Sequence, residues 1–260
     1  MRRAAKLGQH FLKARWAARA VARACPLTED NTVLEIGPGR GALTRELLYS
    51  GANVIAIEKD GELVEHLEEV FAQEIAVGRL RIMHEDIRDI APASLGLEPQ
   101  RYGVAANIPY YITGEIVRSL LSSVTQPRCI SLLVQKEVAE RIARSKKESI
   151  LSLSVKAYGT PRYMKTVGKE CFSPKPRVDS AILVIEDISR DFFDTIDEET
   201  FFKIVRAGFA SKRKLLVNNL AVRFGKSQSH NVFKKCDVPE KARAEDVNLD
   251  RWKCITAQLN

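Results

Sequence analysis

A short apolar strand that runs into spaced glycines and then into a helix constrains this chain more than any other stretch. Thr32-Val33-Leu34-Glu35-Ile36 leads into Gly37-Pro38-Gly39-Arg40-Gly41, and a helical pattern follows over 42–49. Glycine has no Cβ and lets the backbone come close to a ligand, so strand, tight turn and helix N-terminus together make a cradle for a nucleotide cofactor. A second strand, 53–57, ends in Glu58, 23 residues after Glu35. An acid at that strand tip accepts from the hydroxyls of a ribose. Dinucleotides use the same arrangement. Two features tilt the cradle toward S-adenosylmethionine. The last glycine comes one residue earlier than in G-x-G-x-x-G, and a third strand, 80–84, leads to Asp86, where a carboxylate suits an adenine amine.

Asn107-Ile108-Pro109-Tyr110 follows the apolar run 102–106. An amide, a proline and an aromatic in that order are what methyl transfer to an adenine amine needs. The N6 lone pair is delocalised into the ring, and catalysis must localise it. The Asn107 side-chain oxygen and the Ile108 carbonyl, each accepting from one N–H, favour a pyramidal amine aimed at an electrophilic methyl, while Tyr110 steadies the base. A strand end with an Asx turn and a Pro is the plainer reading of the same four residues.

The chain has 260 residues and is 45% hydrophobic, enough for one large domain and a small one. Five scattered cysteines, Cys25, Cys129, Cys171, Cys236 and Cys254, show no C-x-x-C and no pairing rhythm. They read as reduced thiols of a cytoplasmic protein. No apolar run approaches a membrane span, and the N-terminus lacks a signal-peptide core. His10, His66, His84 and His230 lack metal-ligand spacing, so no metal is expected.

Charge is unevenly placed. From Lys203 onward there are 13 Lys/Arg against 5 Asp/Glu, so the first 202 residues balance at 28 against 28 and the tail carries the whole net charge of +8. The first 23 residues hold seven basic residues and no acid. Basic segments at both ends point to a surface that follows a phosphate backbone. Lys212, Arg213 and Lys214, read as the start of a helix over 212–224 that buries Leu215, Leu216 and Leu220, are the candidate RNA contacts.

The elements read as an α/β, Rossmann-like catalytic domain over 1–186 and a small helical domain over 187–260. A fourth strand at 102–106, a helix at 114–122, a fifth strand at 129–134 and a helix at 136–143 continue the alternation of a parallel sheet. The runs 150–157 and 178–185 read as further strands, with antiparallel strands closing the edge. Helices are expected at 198–210, 212–224 and 250–258, with a polar loop at 225–230.

At this point the chain resembles the ribosomal RNA adenine dimethyltransferases, which include the small-subunit enzyme and the erythromycin-resistance methylases. Gly8-Gln9-His10-Phe11-Leu12 is similar to their N-terminal G-Q-[NH]-F-L, and Glu35–Thr44 to their cofactor loop. Asn107–Tyr110 resembles their N-[LI]-P-Y, 135–141 the element after their fifth strand, and 172–180 their F-x-P-x-P-x-V-x-S. The resemblance implies an S-adenosylmethionine-dependent enzyme in which His10, Leu12 and Gly39 belong to the cofactor site, Gly37 approaches the methionine part, and Glu58 and Asp86 hold ribose and adenine. Asn107 then serves cofactor and target, and Tyr110 and Phe172 sandwich a flipped base, with Pro109 in the catalytic motif. It implies small-subunit rRNA in a pre-30S-type particle as partner, with no membrane or metal partner, and a cytoplasmic monomer. The loop 145–151 departs from the family's Pro-Gly pattern. A large-subunit resistance methylase and a non-catalytic assembly factor are the alternatives. The complete 172–180 motif and the helix expected over 212–220 favour the small-subunit enzyme over the first, and intact Glu58, Asp86 and Asn107 count against the second.

Overall fold

The computed structural model describes residues 10–26 and 32–259, leaving aside the side chains of Tyr110 and Tyr111. The elements in chain order begin with β1 (Phe11–Leu12), α1 (Arg15–Ala22), β2 (Thr32–Ile36), α2 (Ala42–Tyr49), β3 (Asn53–Glu58), α3 (Gly61–Val70), α4 (Ala72–Ala76) and β4 (Leu80–His84). They continue with β5 (Tyr102–Ala106), α5 (Tyr110–Ser122), β6 (Cys129–Gln135), α6 (Lys136–Ala143), α7 (Ile150–Tyr158), β7 (Thr160–Val167), β8 (Phe172–Ser173) and β9 (Ser180–Glu186). Four helices close the chain: α8 (Glu198–Gly208), α9 (Leu216–Phe224), α10 (Lys226–Lys235) and α11 (Leu249–Leu259).

Two compact units result. One comprises the chain up to Ala139 together with Thr160–Ile188; the other comprises Glu140–Gly159 and Ser189–Asn260. The expected boundary after residue 186 lies two residues from the last of the three crossings between the units, but Glu140–Gly159 groups with the helical unit.

The first unit is built on a seven-stranded sheet of order β4-β3-β2-β5-β6-β9-β7. The five strands from β4 to β6 are parallel, and β9 and β7 are antiparallel. The parallel strands are almost continuously apolar, as a sheet covered on both faces requires. Register places Ile36 opposite both Ile57 and Ala106, and Glu58 opposite His84. The strands therefore finish together, and the residues just past their ends share one carboxyl edge, where ligands of such sheets bind. Helix α1 lays Ala17, Ala18, Val21 and Ala22 on the core. It is tied to α2 by the buried Glu46, which accepts from Arg15 Nε at 2.6 Å and Arg19 Nε at 3.0 Å.

Several elements differ from the sequence reading. The run at 150–157 is helical. Ser149 and Ser152 form a reciprocal capping box at its start, and Leu153 and Ala157, four apart on one face, pack with Phe201 and Leu216 in the second unit's core. Residues 225–230 belong to α10 and its Gly225 N-cap, not to a loop. The cysteines also differ: Cys25 pairs with Cys129 and Cys236 with Cys254, leaving Cys171 as a buried thiol. The partners of the first bridge are 104 residues apart in sequence, a separation that creates no local rhythm. The atypical loop is anchored within its unit, with Lys147 Nζ 2.6 Å from Glu245 and the Glu148 N–H donating to the Glu245 carbonyl at 2.7 Å. Among the described residues no helix is long and apolar enough to cross a membrane.

Candidate active site

The glycine loop is positioned by conformations and clearances that a side chain would spoil. Gly37, Gly39 and Gly41 all have φ between +59° and +78°. A Cβ on Gly41 would lie 2.4 Å from the Phe71 ring. A Cβ on Gly39 would lie 3.1 Å from the Phe11 ring, which folds over the loop from the N-terminal arm.

Below that loop lies a cleft at the carboxyl edge of the sheet. It is lined by His10, Leu12, Gly37, Gly39, Glu58, Asp86, Asn107 and Pro109. Phe11, Arg40, Lys59 and Arg88 complete much of its wall. Eight of the residues picked out in the sequence thus converge on one site from five separate segments.

Glu58, 5% exposed, is fixed by three backbone donors. Its Oε1 accepts from the N–H groups of Lys59 (2.9 Å) and Asp60 (3.0 Å), and its Oε2 from Gly39 (3.1 Å). A carboxylate offers about four lone-pair sites, so Oε2 retains room for a hydroxyl, and the group fits a ribose diol. Glu58→Ala should weaken cofactor binding by about 10- to 100-fold, the equivalent of losing a charged hydrogen-bond partner. Calorimetric titration measures this, and an unchanged Kd would remove Glu58 from the ribose role.

Asp86 is more heavily occupied than its sequence position suggests. Arg88 Nη2 approaches Oδ2 at 2.6 Å, Arg88 Nε lies 3.0 Å from Oδ1, and Lys59 Nζ lies 2.8 Å from Oδ2. Arg88 first, and Lys59 with it, hold the Asp86 carboxyl well below the usual carboxylate range. An adenine amine reaching Asp86 must share it with these cations. Neither cation stood out in the sequence; their proximity to Glu58 and Asp86, one and two residues on, was the available signal.

The arm closes the site. Phe11 pairs with Ser173 and Leu12 with Phe172 in an antiparallel β1–β8 ribbon, and the Lys13 N–H donates to the Cys171 carbonyl at 2.9 Å. His10 Nδ1 lies 2.8 Å from the Pro174 carbonyl. The His10 carbonyl in turn accepts from Asn107 Nδ2 at 3.2 Å. That bond commits the amide nitrogen and leaves Oδ1 as the acceptor. The Arg40 guanidinium sits 4.9 Å from the Phe11 ring centre, a cation–π contact between loop and arm that sequence reasoning missed.

Phe172 is placed otherwise than expected. It is 2% exposed and packs in the core with Leu12 and Cys171, outside the cleft wall. The alternation of β8 turns Phe172 inward and Ser173 outward. Its ring packs in the core, where β8 pairs with the arm. The Tyr110 side chain, Gly8 and Gln9 lie outside the described residues, as do Arg2, Arg3 and Lys6.

Glu35, in β2, is fully buried beside Thr44, and among the described residues neither its oxygens nor the buried Thr44 hydroxyl makes a hydrogen bond of ordinary geometry. Burial pushes the Glu35 carboxyl up to about 8, a rise that nearby Thr44 only moderates. The group therefore stays neutral in the fold while the unfolded chain ionises from about 4.5 upward. Its contribution to stability is complete below that value and is lost as pH climbs toward 8. Glu35→Gln should flatten this slope, with a difference between variants on the order of a few kcal/mol from pH 4.5 to 8. Urea unfolding across that range measures it, and parallel curves would refute a neutral Glu35.

The RNA candidates Lys212, Arg213 and Lys214 belong to the second unit and are all exposed. They occupy a turn, not the first turn of a helix. Asn219 Nδ2 donates to the Gly208 and Ser211 carbonyls at 2.6 and 3.0 Å, bracing the turn, and the extended Leu215 delays α9 to Leu216.

The model of a family described as ribosomal RNA adenine dimethylase matches residues 2–260. The chain belongs to the ribosomal RNA adenine dimethylase family. It is 36% identical over 252 residues to a ribosomal RNA small subunit methyltransferase A from Dehalococcoides mccartyi, covering 96% of this chain and 86% of that one. It is 34% identical to a protein of the same description from Fusobacterium nucleatum, covering 95% and 94%. Among solved structures, a dimethyladenosine transferase from Plasmodium falciparum shares the fold with a TM-score of 0.77 at 24% identity, covering 95% and 96%. The 23S rRNA methyltransferase ErmE does so with a TM-score of 0.75 at 24% identity, covering 96% and 99%. In this dimethylase the convergent cleft is therefore the candidate centre of adenine methylation.

Proposed function

We propose that the chain is a small-subunit rRNA adenine N6,N6-dimethyltransferase that uses S-adenosylmethionine and acts on two adjacent adenines of a 3′-terminal hairpin during ribosome small-subunit biogenesis. The observation that carries this reading is Asn107 at the tip of β5, in one cleft with Glu58 and Asp86, with its amide nitrogen held by the His10 carbonyl. Bound S-adenosylmethionine supplies a methyl carried on a sulfonium. Glu58 takes the ribose hydroxyls, and Asp86, between Lys59 and Arg88, takes the adenine end. Asn107 Oδ1 and the Ile108 carbonyl accept the two N–H groups of the target amine and bring its lone pair out of the ring plane. As the new N–C bond forms, the sulfonium S–C bond would break to leave a neutral thioether, and the amine, now cationic, sheds a proton to water or to a nearby carbonyl. No strong base is required, and Asn107 acts as a polar clamp.

Tyr110 is the aromatic assigned to the base, and Pro109 fixes the chain that presents it. Lys212, Arg213 and Lys214 contact phosphates of a pre-30S-type particle, and the enzyme works as a cytoplasmic monomer. A large-subunit substrate is disfavoured because relatives above 30% identity carry the small-subunit description. To test the reading, purified protein is incubated with labelled S-adenosylmethionine and unmethylated small-subunit particles, and digested nucleosides are separated. N6,N6-dimethyladenosine in small-subunit rRNA is the expected product. Label confined to large-subunit rRNA, or no label, would overturn the assignment.

A further inference from the structure

The catalytic unit presents a second surface of unusual composition. Residues 10–26 and 160–178 contain nine Lys/Arg and a single acid, Glu170. Three of the nine are neutralised: Arg15 and Arg19 by the buried Glu46, and Arg162 by Glu186. Lys13, Lys165, Lys175 and Arg177 are exposed, and none of them forms a salt bridge with another described residue. Trp16, in the first turn of α1, is 44% exposed. The core face of that helix is Ala17, Ala18, Val21 and Ala22, so Trp16 is not what packs the helix onto the sheet. Lys165, from the edge strand β7, places its ammonium 4.7 Å from the indole centre.

From this we infer that Trp16 and Lys165 form a platform for an unpaired RNA base, with Lys13, Lys175 and Arg177 taking the adjoining phosphates. The inference rests on the reading of the chain as an RNA methyltransferase and names a contact surface that reading does not include. An aromatic face stacks any base, and a neighbouring cation strengthens the attraction and pairs with phosphate. Stacking requires a splayed, single-stranded base and excludes a regular duplex. The surface adjoins the catalytic arm. Lys13 and Ala14 donate backbone hydrogen bonds to the Cys171 carbonyl at 2.9 and 3.3 Å, and His10, which lines the cleft, contacts Pro174 beside Lys175. A strand that delivers an adenine to Asn107 carries its flanking nucleotides onto this platform. An acidic protein partner would find the cations but would have no use for an exposed indole beside them.

The test uses intact protein and two RNA probes, a twelve-nucleotide single-stranded oligouridine and a duplex of equal length. The only other tryptophan, Trp252, is fully buried, so quenching of the exposed indole reports Trp16. Single strands should quench that fluorescence and the duplex should not. Trp16→Ala should weaken single-strand binding about fivefold or more, Lys165→Gln should weaken it less, and Trp16→Phe should restore most of it. Melting temperatures of the variants show whether any loss reflects folding. Absent quenching, or equal single-strand affinity in Trp16→Ala and the parent, would overturn the platform. Methylation of small-subunit rRNA by the parent is measured separately, so the functional reading and the platform fail independently.

Discussion

Asn107→Ala is expected to lower the rate of methyl transfer by about a hundredfold or more while leaving the fold intact. Among the described residues the side chain bonds to the protein through Nδ2, which donates to the His10 carbonyl, so little stability depends on it. In the proposed mechanism it supplies Oδ1, the acceptor for an amine that must pyramidalise, and losing such a transition-state contact costs about two to three orders of magnitude. Asn107→Asp should be inactive as well. It keeps an oxygen but places a carboxylate against the His10 carbonyl in place of a donor, and so displaces the clamp. Single-turnover transfer from labelled cofactor to small-subunit particles, with unfolding curves as control, gives the answer. A rate within a few-fold of the parent would remove Asn107 from the reaction.

The parallel part of the sheet and the cleft residues at its edge were legible in the sequence for one physical reason. The residues at or just past the ends of successive parallel strands line one cleft, so Gly37, Glu58, Asp86 and Asn107 recur one strand at a time along the chain. Where a residue's role depends on distant partners, local pattern gave less. The run from Ile150 to Tyr158 is apolar enough for a strand, and only the Ser149–Ser152 cap and the helical core around Phe201 and Leu216 decide for a helix. Lys212 to Lys214 have the composition of a basic helix start, but Asn219 reaches back to hold them in a turn. Phe172 has the motif of a base contact, yet its pairing with Leu12 turns the ring into the core. Motif resemblance identifies the segment, and β-alternation decides which way its side chains face.

The cysteines are the largest departure, and breaking the Cys25–Cys129 bridge should have the largest effect on stability. This bridge joins the segment after α1 to the first residue of β6 across 104 residues of sequence, with 5.8 Å between the Cα atoms. In the chain-entropy account, closing so long a loop restricts the unfolded state by about 4–5 kcal/mol, whereas Cys236–Cys254, 18 residues apart, contributes about 3 kcal/mol. Cys25→Ser should therefore lower Tm by roughly ten degrees or more, and Cys236→Ser by less. Reduction should lower the parent's Tm by more than either substitution alone. A thiol titration of denatured, non-reduced protein should find one reactive group, Cys171, in place of five. The two measurements are linked, because both follow from the same covalent topology. Five thiols, or a Tm indifferent to reductant, would show that the cysteine pairs stand close in the fold without being joined.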